Sequence, residues 1–168
     1  MATIASLRES LCSEATPLPV RFRALFSLKH LARHEAGDAA IAAIEAIAAG
    51  FASPSALLKH ELAYCLGQSE NNAAVAPLRA VLADLQEDTM CRHEAAEALG
   101  ALGKAENLDI LREFRDRPGE DVVITETCEI AIDRIEWENS ETRKNEKLRQ
   151  RYGHGTWTRA LFHLLLIF

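Results

Sequence analysis

Lys59-His60-Glu61-Leu62-Ala63-Tyr64-Cys65-Leu66-Gly67 has a counterpart 33 residues on, Arg92-His93-Glu94-Ala95-Ala96-Glu97-Ala98-Leu99-Gly100. Each string reads as a basic residue, His, Glu, mixed but mostly small or apolar residues, then Leu and Gly. A period near thirty is the spacing of stacked helical hairpins, in which equivalent positions of neighbouring repeats lie side by side. The expected fold is therefore all-α, a solenoid of about four helix pairs. The same alignment sets Arg21-Phe22-Arg23 and Thr125-Glu126-Thr127 at the equivalent positions of two flanking repeats, where the His-Glu pair is missing. The pair is thus not needed to build the repeat, and metal binding is the candidate reason for its presence.

Apolar spacing and turn residues place the helices. A first helix is expected over Ile4 to Cys12, and Pro17 and Pro19 mark the entry to a second over about Val20 to Leu31, with Phe22, Leu25, Phe26 and Leu28 on one face. Gly37-Asp38 opens a third helix, running through Ile41, Ile44 and Ile47 to Gly50. Ser53-Pro54-Ser55 is a turn and cap before the His60 helix. Gly67 is read as that helix's terminal C′ glycine. Asn71-Asn72 opens a helix with Val75, Leu78, Val81, Leu82 and Leu85 as its stripe, and Glu87-Asp88-Thr89 caps the His93 helix, which Gly103 closes. Leu108, Ile110, Leu111 and Phe114 form the next element. After Pro118-Gly119 a last helix carries Val122, Val123, Ile130, Ile132 and Ile135 to Trp137.

The repeat domain is assigned to residues 1–138. Residues 139–168 match no repeat position and form a divergent tail, unfolded or partly helical, that ends in the apolar run Leu161–Phe168. Charge divides at the same place. Residues 1–138 carry 13 basic and 23 acidic side chains, whereas the tail carries 6 basic and 2 acidic. An acidic body argues against nucleic acid and for a basic partner. No apolar run is long enough to span a bilayer, and the first residues lack the apolar core of a secretory signal. Cys12, Cys65, Cys91 and Cys128 form no CxxC, and Cys65 and Cys128 sit among apolar residues, which suits reduced thiols and a cytoplasmic location.

Packed helices lie about 8–10 Å apart, so His60 and His93 on adjacent repeats can reach inward to one ion. Neighbouring helical residues point about 100° apart. His60 and Glu61 therefore need not both bind, nor need His93 and Glu94. Two His and one carboxylate with open positions is the ligand type of oxygen-activating non-haem iron, and zinc accepts it as well. The other Glu would bridge or orient substrate. His34-Glu35 aligns with no repeat position and is read as a solvated turn. His30, His154 and His163 lack partners at repeat spacing, and Lys59 and Arg92 are read as flanking surface charges.

Ser55-Ala-Leu-Leu-Lys-His-Glu-Leu-Ala-Tyr-Cys-Leu-Gly-Gln68 and Cys91-Arg-His-Glu-Ala-Ala-Glu-Ala-Leu-Gly-Ala101 resemble the paired motifs of the deoxyhypusine hydroxylase family. Arg21-Phe-Arg-Ala-Leu-Phe26 and Glu126-Thr-Cys-Glu-Ile-Ala-Ile-Asp-Arg-Ile-Glu-Trp137 resemble its first and fourth repeats, so the likeness covers about residues 4–138. It implies HEAT-like repeats in two similar halves, each supplying two His-Glu motifs to a di-iron centre. It also implies an enzyme, a monooxygenase that uses dioxygen and Fe2+ to hydroxylate the deoxyhypusine side chain of eukaryotic initiation factor five-A.

By this resemblance His60, His93 and Glu94 are iron ligands, and Glu61 is a ligand or a catalytic, substrate-orienting carboxylate. The acidic body suits a cationic, polyamine-derived side chain on a basic loop. Only the first half's motifs are present, so a truncated or alternatively spliced form is expected, for which a homodimer could supply the second array. The other readings are a non-catalytic helical-repeat interaction module and a lyase of the phycobilin type.

Overall fold

The structure is a computed structural model and describes residues 3–145. Eight helices follow one another as four successive pairs, α1 (Ile4–Cys12) then α2 (Leu18–His34), α3 (Asp38–Ala48) then α4 (Ala56–Gly67), α5 (Val75–Ala83) then α6 (Thr89–Ala101), and α7 (Leu108–Arg115) then α8 (Val122–Glu138), with α3 packed chiefly on α2. A short α9 (Glu141–Asn145) follows. Residues 146–168, including His154, His163 and Leu161–Phe168, lie outside the described residues. Among the described residues no helix is long and apolar enough to cross a membrane.

Local chemistry starts each inner helix. The Ser55 hydroxyl accepts from the Leu58 amide at the head of α4, Asp88 from the Met90 amide at α6, and Asp121 from the Val123 amide at α8. Pro19 stands in the first turn of α2, where a missing N–H leaves no bond unmade. Gly103, with φ 67°, closes α6 in the left-handed conformation its position requires.

α4 packs on α6 and α6 on α8, forming the inner layer, with α3, α5 and α7 behind. Leu58, Leu62, Leu66, Leu78, Leu82, Leu99 and Leu111 are fully buried between the layers. Two glycines set the distance between inner helices. A Cβ on Gly67 would lie 2.8 Å from Ala98 Cβ and 2.9 Å from its Cα. A Cβ on Gly100 would meet Ala131 at 2.8 and 3.0 Å in the same manner. Gly67 is the last residue of α4 and has no positive φ, so it is not a C′ glycine. Its lack of a side chain lets two backbones touch.

A second set of contacts repeats with the same register. Arg92 Nη1 and Nη2 donate to the Glu120 carboxylate at 2.9 and 2.7 Å, while Nε donates to the Leu82 carbonyl at 3.1 Å. The Arg92 and Glu120 side chains are each 6 % exposed, and the guanidinium holds the Glu120 carboxyl below its usual range. One repeat earlier, Lys59 pairs with Glu87, again 28 residues ahead. Lys59 and Arg92 are therefore not surface charges; they tie each inner helix to the loop that starts the next one. Arg21 Nε donates to the Leu11 carbonyl as Arg92 does to Leu82, and this equivalence supports the alignment of the first repeat.

Several apolar positions face water. Ile41, Leu57, Leu85, Met90, Val122, Val123 and Ile130 are exposed, and Leu85 falls after the end of α5. His34 ends α2 instead of following it in a turn, and its ring lies 4.5 Å from that of His30 on the exposed side.

Gly67→Ala sets helix propensity, which favours Ala by about 1 kcal/mol, against overpacking of about 1–3 kcal/mol. The neighbour is backbone as well as side chain, so overpacking should win, by up to about 2 kcal/mol. Urea denaturation checks this, and an unchanged or raised midpoint would show that the repeats can separate freely.

Candidate metal centre

α4 and α6 each carry a His and a Glu in their second turns, and the fixed helix spacing brings His60 of one to Glu94 of the other. His60 Nε2 lies 3.1 Å from Glu94 Oε2, across the α4–α6 interface. His93 Nδ1 lies 2.6 Å from Thr127 Oγ1, across the α6–α8 interface. Both contacts join a His to the residue 34 positions ahead. In the third repeat that residue is Glu94, and in the fourth it is Thr127. Glu97, one turn after His93 on the same helix face, brings Oε2 to 3.8 Å from His93 Nε2.

One donor atom each from His93, Glu94 and Glu97 lies within 4.8 Å of the other two. Glu97 escaped the sequence reading because its repeat equivalent is Tyr64, so register does not flag it. Its i,i+4 relation to His93 was the available signal. Of the expected residues, His60 lies outside this group of three and touches it through Glu94. Glu61 stays at the edge, half-buried, close enough to act on Glu94 and Tyr64 through its charge. His34 and Glu35 are exposed on α2 and the turn after it, and neither is among the residues that meet here.

Charge in the cluster is one-sided. Glu94 is 6 % exposed, and its pKa is pushed up to about 8 by burial first and then by the charges of Glu97 and Glu61. Burial also raises Tyr64, with Glu61, Cys65, Glu94 and Glu97 adding to it. The His93 imidazole is lowered, chiefly by burial, with Glu97 opposing and His60 assisting. Burial, Glu97 and Glu61 all raise Glu94, and the group facing it is the His60 imidazole, a countercharge only when protonated. A divalent cation would provide one, and imidazole nitrogen with carboxylate oxygen suits iron or zinc. Ligand atoms around such an ion, each about 2.0–2.2 Å from it, stand about 3 Å apart. The 3.1 Å contact is already at that spacing, and the 3.8 Å one closes with a small side-chain motion.

The chain belongs to the HEAT-repeat family, whose model matches residues 26–130. Its similarity to individual proteins is narrower. It is 75% identical over 150 residues to a deoxyhypusine hydroxylase of Neurospora crassa, covering 89% of this chain and 46% of the relative. It is 62% identical over 148 residues to that of Aspergillus fumigatus, covering 88% and 44%. Among solved structures, human deoxyhypusine hydroxylase in complex with glycerol superposes with a TM-score of 0.75 at 40% identity, over 89% of this chain and 48% of that one. The chain spans about half the length of the curated relatives it matches. These likenesses bear out the resemblance and do not favour the non-catalytic module.

The raised Glu94 pKa fixes a pH dependence for the metal-free protein. Folded, the carboxyl holds its proton up to about pH 8; unfolded, it releases it near its ordinary value of 4.5. Folding therefore gains from the bound proton at low pH and loses that gain as pH rises toward 8. The metal-free protein should melt progressively lower from pH 6 to 8.5, and Glu94→Gln, which cannot ionise, should flatten the slope. Parallel melting curves for the two proteins would contradict this.

Proposed function

We propose that this chain carries one His-Glu array of a deoxyhypusine monooxygenase centre. The observation that carries the reading is the meeting of His60 from one repeat with Glu94, beside His93, from the next, around a buried carboxyl. His60, His93 and Glu94 hold Fe2+ in this reading, with Glu97 beside His93 as a further oxygen donor. Glu61, at the edge of the cluster, orients the cationic side chain of the substrate. Iron held there would supply reductive activation of dioxygen, one oxygen atom entering a C–H bond and the other leaving as water, with two electrons from an external reductant. The surrounding residues position that chemistry: buried α-helical backbone fixes the ligands, and the Glu61 carboxylate attracts an ammonium group of deoxyhypusine.

The substrate in this reading is the deoxyhypusine form of eukaryotic initiation factor five-A. The acidic body of the repeat domain supports a basic protein partner. A two-iron centre needs a second such array, and a two-fold dimer of this chain would supply one. Cytoplasmic residence belongs to the same proposal, supported by four unpaired cysteines, of which Cys65, Cys91 and Cys128 are buried.

His60→Ala, His93→Ala and Glu94→Ala should each lower Fe2+ affinity by more than the about 10–100-fold typical of outer-shell changes. His34→Ala should leave affinity and stoichiometry unchanged. Equal iron content in all four variants, by elemental analysis, would remove the ligand assignment. Specific hydroxylation activity should rise with protein concentration as the dimer forms. Concentration-independent activity from a species of monomer mass would rule out the need for a second copy.

A further inference from the structure

The fourth repeat lacks a His-Glu pair, yet it reaches the site through Thr127. Thr127 occupies in α8 the position held by Glu94 in α6, and it is 8 % exposed. Its Oγ1 lies 2.6 Å from His93 Nδ1 and 2.6 Å from the Val123 carbonyl oxygen. A hydroxyl has a single proton to donate. A carbonyl can only accept, and two oxygens this close with no proton between them repel. The Thr127 proton therefore goes to Val123, a back-bond to the preceding turn that threonine makes readily inside a helix. What remains on Oγ1 is a lone pair facing His93. To use it, His93 must carry its proton on Nδ1, which leaves Nε2 bare on the side of Glu97.

We infer that Thr127 is a positioning residue: by passing a hydrogen bond from His93 Nδ1–H to the Val123 carbonyl, it holds His93 in the tautomer whose Nε2 is free to ligate a divalent cation. The tautomer follows from the contacts alone, and its use in ligation rests on the metal-centre reading above. Imidazole ligands commonly donate their second nitrogen to an oxygen acceptor, which fixes both ring plane and tautomer. Here the acceptor comes from the neighbouring repeat, so α8 is part of the centre although it carries no ligand. His60 differs, since its contact with the next repeat uses Nε2 and Glu94. His93 is thus preset before an ion arrives by a partner outside the cluster, whereas His60 Nε2 faces Glu94 directly.

The test uses the full chain and two substitutions. Long-range proton–nitrogen NMR of imidazole-labelled, metal-free protein, at a pH where His93 is neutral, reads which ring nitrogen is protonated. Titration with Fe2+ alone under argon reads affinity. Wild type should show His93 protonated on Nδ1. Thr127→Val keeps the branched shape but removes the acceptor. It should move the proton largely to Nε2 and weaken Fe2+ binding by about 10–100-fold. Thr127→Ser should restore both. A wild-type His93 protonated on Nε2, or a Thr127→Val protein with unchanged tautomer, overturns the inference. If Thr127→Val moves the tautomer and wild type binds no Fe2+, the role of Thr127 toward His93 stands and the metal-centre reading fails by itself.

Discussion

The backbone contact of Gly67 with Ala98, repeated by Gly100 with Ala131, controls the geometry of everything on the inner face. It lets α4, α6 and α8 approach at equal steps, so a side chain on one helix meets the same neighbour on the next. His60 finds Glu94 and His93 finds Thr127 by the same 34-residue relation. Lys59–Glu87 and Arg92–Glu120 hold that register at the other end of each helix. A larger residue at either glycine would widen one step, and the cluster would open by a comparable amount. Packing and chemistry are thus two consequences of one spacing.

The cluster acts against the stability of the fold that presents it. Glu94 is itself buried and has Glu97 and Glu61 beside it, and burial first, then these like charges, push its pKa up to about 8. Structural carboxylates in this molecule are treated differently: Glu120 lies against Arg92, and its pKa is lowered. The protein therefore has a ready means of neutralising a buried acid and does not use it at Glu94.

The fold was largely legible in the sequence because repetition reports long-range packing directly. The 33-residue match identified which helices would be neighbours, and Ile4–Cys12 and the caps Ser55 and Asp88 fell where local chemistry placed them. Reading Gly67 as a helix terminator missed its role, since contact between two backbones leaves no local pattern. Lys59 and Arg92 looked like surface charges because their partners stand 28 residues away in loops. Within the candidate site, residues repeated in register were found, and those present in a single repeat were not. Glu97 aligns with a tyrosine, and Thr127 aligns with glutamates. Each acts through a neighbour in space that its own repeat position does not announce.

The central claim is that consecutive repeats place His60, His93 and Glu94 around one iron. Iron K-edge absorption fine structure of the Fe2+-loaded chain tests this most directly, because imidazole rings scatter in a recognisable outer shell. Two imidazoles with carboxylate oxygens about 2.0–2.2 Å from the metal are predicted, and one imidazole fewer in His60→Ala or in His93→Ala. A spectrum of oxygen neighbours alone, or one unchanged by either substitution, would contradict it.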